Sequence, residues 1–194
     1  MKRNIIVAKN AFTPEYCNNV LKVATQFQVG KINGSAVNNN VDNGEHAPKL
    51  RRSTISWIDN NIDSCDIFHP IYKLVRDVNN QFYQFNMKSV EVIQVTRYDS
   101  ENKGFYSPHV DGMYDDLNNP MVRKLSMSVQ LTPPEYYEGG RLHFPDDEEK
   151  FIVTDSLAQG TAVFFPSYIK HGIKPVTEGI RHSIVCWFLG EHFK

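Results

Sequence analysis

The sequence has little of what marks the more specialised protein classes. Its three cysteines (Cys17, Cys65 and Cys186) are an odd number without paired spacing. That excludes a disulfide framework and makes a reducing, cytoplasmic setting the expectation. A surplus of one charge sign is missing as well: 21 Lys and Arg stand against 22 Asp and Glu, a formal net charge of -1. This balance leaves no electrostatic footprint for a polyanion, so no nucleic-acid partner is expected. Nor does any apolar run approach membrane-spanning length. The opening Met1-Lys2-Arg3-Asn4-Ile5-Ile6-Val7-Ala8-Lys9 has only four apolar residues in a row, too few for a signal-peptide core. Neither a membrane nor an export signal is expected. No internal repeat or domain boundary is visible in the 194 residues, so a single domain spanning 1–194 is expected. A hydrophobic content of 41% is enough for that domain to bury a core.

Two helices are predicted first. Thr13-Pro14-Glu15 reads as a start signal, with a capping hydroxyl, a proline at the first helical position and an acid in the first turn. Tyr16, Val20, Ala24 and Phe27 then keep a helical period as far as Gln28-Val29-Gly30. The second helix is predicted over Asp66 to Phe85, with Asp66 as its cap and Pro70 in its first turn. Its apolar face is Ile67, Ile71, Leu74, Val75, Val78, Phe82 and Phe85. Ile5 to Val7, ahead of the first helix, and Ser53 to Ile58, between the two, read as strands. Gly30 to Lys49, rich in Asn and Gly, reads as a long surface loop or a lid. After Met87 the period becomes strand-like. Candidates are Val90–Tyr98, Phe105–Val110, Leu125–Leu131, Arg141–Phe144, Phe151–Val153, Thr161–Phe165, His171–Val176 and Ile180–Leu189. Helices followed by about eight strands imply an α+β fold, with helices packed outside a β-sandwich or barrel.

The chemistry lies in Ser107-Pro108-His109-Val110-Asp111-Gly112. On an extended strand His109 and Asp111 leave on one face. His171 lies far downstream, after the buried strand and proline turn of Gly160 to Pro166. Two imidazoles and one carboxylate form the facial set that holds iron in non-haem Fe(II) oxygenases. Ten residues beyond His171, Arg181 alternates with Ser183, Val185 and Trp187 on one face of an apolar strand. A guanidinium placed there is expensive unless an anion pairs with it. Tyr98 and Tyr106 precede His109 on strands that would line the same cavity.

These residues resemble the 2-oxoglutarate and Fe(II)-dependent dioxygenases, in their prolyl 4-hydroxylase-like branch. The matching motifs are Arg97-Tyr98 through His109-Val110-Asp111, Glu138-Gly139-Gly140-Arg141-Leu142-His143-Phe144, Gly160 to His171, and Gly179-Ile180-Arg181-His182-Ser183 through Trp187, together covering about 90–190. The resemblance implies a double-stranded β-helix (jelly roll) with supporting N-terminal helices. It implies His109, Asp111 and His171 as iron ligands and Arg181 as the partner of the far carboxylate of 2-oxoglutarate. Tyr98, Ser183 and Gln130 are implied as further co-substrate contacts. Trp187 falls beside the metal and the target residue, and Tyr106, Arg51 and Arg52 are further substrate candidates. Fe(II), 2-oxoglutarate and O2 are the implied cofactor and co-substrates, with ascorbate as an accessory. The implied reaction hydroxylates a prolyl residue of a protein or peptide and releases succinate and CO2. Asp111 argues for hydroxylation, since halogenating relatives lack this carboxylate.

The chain also departs from the family. Collagen-type enzymes carry lysine where Arg181 stands, which places this sequence nearer the oxygen-sensing and bacterial prolyl hydroxylases. The insert Asp99-Ser100-Glu101-Asn102-Lys103-Gly104 is expected to affect how Tyr98 is presented. Alternatives are hydroxylation of a free amino acid, another protein residue or a modified nucleobase, or a non-oxidative cupin-like metal module. Nucleobase demethylases carry a second arginine six residues after the first, where this chain has Trp187, and a cupin-like site has no use for a buried arginine. His69, His143 and His182 are expected to be structural. Asp146-Asp147-Glu148-Glu149 is expected to be a solvated turn.

Overall fold

The computed structural model describes residues 5–26, 29–33, 50–59, 65–112, 120–145 and 158–193. Helix α1 is Pro14–Gln26, and the Thr13 hydroxyl accepts the Tyr16 N–H at 3.1 Å, as its start signal predicts. Helix α2 runs from Cys65 to Val78 and stops earlier than its apolar period suggests. A single π turn, Asn79–Tyr83, follows and ends at Gln84 with φ 56°. The cause is Asn79, whose side chain accepts the Phe85 N–H and donates to the Phe85 carbonyl, both at 3.0 Å. Those bonds replace the next helical turn. Asp66 is inside the helix rather than ahead of it, and Pro70 lies one turn deeper than expected.

Twelve strands are described: β1 Ile6–Ala8, β2 Val29–Asn33, β3 Arg51–Ile58, β4 Ser89–Val90, β5 Ile93–Asp99, β6 Phe105–His109, β7 Met121–Gln130, β8 Tyr137–Gly139, β9 Leu142–His143, β10 Ala162–Pro166, β11 His171–Ile173 and β12 Val176–Glu191. All described pairings are antiparallel, in the order β1-β10-β7-β12-β5-β3-β6-β11-β9, with β2 on β3 and β4 and β8 on β12. Three expectations change. Gly30 to Asn33 belongs to a strand rather than a loop, and β7 begins at Met121, four residues before the expected Leu125. The strand expected over His171–Val176 breaks after Ile173 and resumes as β12. The other sixteen residues of the candidate lid (34–49), the strand at 151–153 and the acidic run at 146–149 lie outside the described residues.

Alternation sorts the central strands into two faces. Leu125, Met127 and Val129 of β7, Ile184, Cys186 and Phe188 of β12, Ile93 and Val95 of β5, and Phe164 of β10 share one buried cluster with α1 and α2. The helices therefore cover the convex face. The opposite parity is polar: Ser126, Ser128 and Gln130, Arg181 and Ser183, and Gln94 and Thr96 are all buried. A polar inner face is unusual unless a cavity or ligand uses it. The sheet also closes on itself. Val163 and Phe165 of β10, near one end of the strand order, pack with Leu142, Phe144 and Ile173 at the other end. This curl brings β6 and β11 over the polar face, in agreement with the expected double-stranded β-helix.

Candidate metal centre

His109 ends β6 and His171 begins β11, and the two are register partners. Asp111 follows β6 and is tied down by backbone: the Asp111 and Gly112 N–H groups both donate to the Ser167 carbonyl at 2.9 Å. One ligand atom from each of His109, Asp111 and His171 lies within 4.8 Å of the others. His109 Nε2 is 3.4 Å from Asp111 Oδ1, and His171 Nε2 is 3.4 Å from Asp111 Oδ2. Each imidazole meets a carbonyl through its other nitrogen, His109 Nδ1 to Ser107 O at 2.9 Å and His171 Nδ1 to Ile169 O at 3.0 Å. A carbonyl can only accept, so Nδ1 donates a proton to it and Nε2 is the nitrogen left for a metal. Asp111 Oδ2, the oxygen nearer His171, also accepts the Ser126 hydroxyl at 2.7 Å, and Ser126 Oγ is 2.9 Å from Ser167 Oγ.

The electrostatics match a cation site. Burial alone would raise the Asp111 carboxyl, but His171, His109 and the Ser126 hydroxyl outweigh it and hold the group well below the usual carboxylate range. Burial pushes His171 down, which favours the neutral imidazole that a metal requires. The competing imidazoles stay outside this set. His143 lies beside Gly172, its β11 partner, and His182 is hydrogen-bonded to Thr132. Two imidazoles and one carboxylate fit Fe(II), with positions left for an exogenous ligand.

Arg181 is 2% exposed and among the largest fully buried side chains. Its Nε donates to Gln130 Oε1 at 3.1 Å and its Nη1 to Ser183 Oγ at 3.4 Å. Neither partner is acidic, so among the described residues the guanidinium is positioned but not neutralised. Tyr98 is its register partner on β5, with the guanidinium carbon 5.7 Å from the ring centroid. The four residues expected at an anionic co-substrate thus converge. The Asp99–Gly104 insert is a closed turn, capped by Asp99 and joined by a Gly104 N–H to Asp99 carbonyl bond of 2.8 Å. It leaves Tyr98 buried and facing inward.

Trp187 stands beside the metal residues, since its register partner Ser126 is the residue that holds Asp111. Its Nε1 is buried and has no hydrogen-bond partner among the described residues. Two neighbours escaped the sequence reading. Arg123 lies 3.8 Å over the Trp187 ring while bonding Glu91 at 2.6 Å, and Trp57 packs 6.5 Å away. Tyr106 is stacked on His109 at 3.6 Å. The two candidate arginines part company. Arg52 sits over Phe105, on the parity facing away from the pocket. Arg51 is buried and bonds the inner-face residues Ser53 and Thr96, so it is not at a solvated edge. Only strand pairing settles that parity, and Arg51-Arg52 carries the same signal on both faces. The role of Ser126 as the support of Asp111 carries no signal in the sequence, because it depends on where β7 meets the segment after β6.

Comparison with known proteins agrees with this geometry. A family model described as the 2OG-Fe(II) oxygenase superfamily matches residues 93–189, half of the chain. A PKHD-type hydroxylase of Idiomarina loihiensis is 30% identical over 108 residues, covering 56% of this chain and 47% of that protein. One from Aliarcobacter butzleri is 34% identical over 90 residues, covering 45% and 39% respectively. The chain therefore spans about half the length, or less, of these curated relatives. Among solved structures, a viral collagen prolyl hydroxylase from Paramecium Bursaria Chlorella virus-1, in a 2OG complex, superimposes with TM-score 0.73 at 21% identity, over 97% of both chains. A prolyl-4-hydroxylase of Pseudomonas putida gives 0.71 at 18% identity, over 100% of this chain and 95% of that one. A Trichoplax adhaerens prolyl hydroxylase, in complex with a hypoxia inducible factor peptide fragment, gives 0.68 at 16%, over 96% and 84%. These likenesses establish the jelly-roll fold. With the matched family model spanning both histidines, the aspartate and the buried arginine, they lead to one assignment: this chain belongs to the 2OG-Fe(II) oxygenase superfamily.

Proposed function

We propose that the protein is an Fe(II)- and 2-oxoglutarate-dependent dioxygenase that hydroxylates a prolyl residue in a protein or peptide. The observation that carries this reading is Arg181, a buried guanidinium without an acidic partner among the described residues, held by Gln130 on the same face of β7 as Ser126, which bonds the Asp111 carboxylate. An anion that also reaches the metal residues completes both halves of the site, and 2-oxoglutarate has that form. The balanced reaction takes 2-oxoglutarate, O2 and a C–H group to succinate, CO2 and the corresponding alcohol.

His109, Asp111 and His171 would hold Fe(II), which when bound supplies the redox chemistry for activating dioxygen. The protein residues set position. The Ser107 and Ile169 carbonyls fix the imidazole tautomers, and Ser126 fixes the carboxylate rotation. Gln130 and Ser183 aim Arg181 at the far carboxylate, and Tyr98 walls the same pocket. Trp187 and Arg123 would present the substrate, with the buried Trp187 N–H available to a peptide carbonyl. Support for a prolyl target comes from the PKHD-type relatives and the prolyl hydroxylase neighbours. We read the protein as cytoplasmic, on its three free thiols, and ascorbate as an accessory reductant.

The test is incubation with Fe(II), 2-oxoglutarate, ascorbate and a panel of proline-containing peptides. Succinate is followed by NMR and one added oxygen on proline by mass spectrometry. Succinate that depends on Fe(II), together with oxidised proline, supports the proposal. Succinate with oxygen added to a different residue rejects the prolyl substrate. No Fe(II)-dependent succinate under any condition rejects the activity.

A further inference from the structure

We infer that Arg51 is a second anion-binding residue of the same pocket, contacting the end of a 2-oxo acid that lies at the metal residues, opposite the end held by Arg181. This inference rests on the co-substrate reading above. Arg51 opens β3 on the parity shared with Ser53 and Ile55, and only 6% of it is exposed. Its Nε donates to Ser53 Oγ at 2.6 Å and its Nη2 to Thr96 Oγ1 at 3.4 Å. Both acceptors are neutral hydroxyls. No acidic group pairs with Arg51 among the described residues, and a buried guanidinium in that state calls for an anion.

Position distinguishes the two arginines. The Arg51 guanidinium carbon is 4.5 Å from the Tyr106 ring, and Tyr106 is itself stacked on the metal residue His109 at 3.6 Å. Arg181 instead turns to Gln130 and Ser183 on β7 and β12. Both nevertheless face one cavity, because Thr96, which bonds Arg51, is the register partner of Ser183, which bonds Arg181. The Tyr98 phenol feels both charges. Charge balance points the same way. Two guanidiniums and a divalent cation against the single carboxylate Asp111 leave a net charge of about plus three, which a dicarboxylate reduces to about plus one. A pocket with one cation near each end thus suits a 2-oxo dicarboxylate, with Arg51 binding the oxo-acid end whether or not the far carboxylate is present.

Isothermal titration of the full chain loaded with Mn(II), without oxygen, tests this with two probes. These are 2-oxoglutarate and 2-oxobutyrate, which lacks the far carboxylate. R51Q should weaken both by about tenfold to a hundredfold, the range for a charge-assisted bond. R181Q should weaken only 2-oxoglutarate, to the level of 2-oxobutyrate. R51K, which keeps the charge without the planar fork, should fall between R51Q and wild type. If R51Q does not fold, R51K carries the test, with both probes weakened in parallel as the supporting result. Affinities within about twofold of wild type for both probes would overturn the inference, as would an effect on 2-oxoglutarate alone. Wild-type protein that binds neither probe would overturn the proposed function as well. Binding by wild type together with an unaffected R51Q would remove only the role of Arg51.

Discussion

His171 and His109 are register partners on adjacent antiparallel strands, with ring centroids 4.4 Å apart. Their sequence separation is therefore irrelevant to the site, because the β6–β11 pairing converts it to one rung of a ladder. His171→Ala should remove bound metal, with affinity falling at least about a hundredfold, since it deletes a ligand rather than a support for one. His143→Ala and His182→Ala should leave metal content intact. Metal analysis after equilibration with Fe(II) or Co(II), alongside a thermal melt, checks all three. Full metal content in His171→Ala would remove that residue from the ligand set.

Ser126 supports the third ligand. Its hydroxyl donates to Asp111 Oδ2, and Ser167 Oγ adjoins it. Ser126→Ala should lower metal affinity by about tenfold to a hundredfold, the usual cost of losing a partner behind a ligand. Ser167→Ala should cost less, because the Ser167 backbone carbonyl still accepts the Asp111 and Gly112 N–H groups. Competition with a chelator of known affinity measures both. Equal losses for the two variants would mean that the hydroxyl pair, rather than Ser126 alone, sets the carboxylate.

Arg181→Ala should separate the two halves of the pocket. Removing the guanidinium leaves Gln130 and Ser183 facing each other without disturbing His109, Asp111 or His171. Affinity for 2-oxoglutarate should fall at least about a hundredfold while metal binding stays within about twofold. Titration of the metal-loaded variant decides this. An unchanged 2-oxoglutarate affinity would contradict the anchoring role.

The parts of the molecule that were legible from sequence are those where alternation and chemistry coincide. On β7, Leu125, Met127 and Val129 against Ser126, Ser128 and Gln130 announce both the strand and its polar inner face. On β12, Arg181 and Ser183 mark the same face. Where the pattern carries no contrast, the reading fails. Arg51-Arg52 gives no clue to parity, which comes from β3 pairing with β5 and β6. The apolar period of α2 continues through Phe82 and Phe85, yet the Asn79 side chain captures both polar groups of the Phe85 backbone and ends the helix. Gly30 to Asn33 has the composition of a loop but gains ladder bonds from β3, a tertiary effect that local propensity cannot report.

His182 makes stability depend on pH in a predictable direction. Burial first, then the Arg97 and Arg181 guanidiniums, push its imidazole down to about 4, with Asp99 opposing. The ring is therefore neutral in the folded chain and faces the Thr132 hydroxyl at 3.2 Å. The unfolded chain, at the ordinary value of about 6.5, binds the proton first as pH falls. Stability should be fully present above about pH 6.5 and decline as pH drops toward 4. The slope is about 1.4 kcal/mol per pH unit at most, for a total of up to about 3 kcal/mol from this residue. His143 and His171 are pushed in the same direction, so His182→Gln should lessen the acid-side slope by about one proton rather than abolish it. Urea unfolding at pH 7.5 and pH 5, for wild type and His182→Gln, measures the difference. A variant with the wild-type slope would mean that the His182 ring stays open enough to take a proton without leaving the fold.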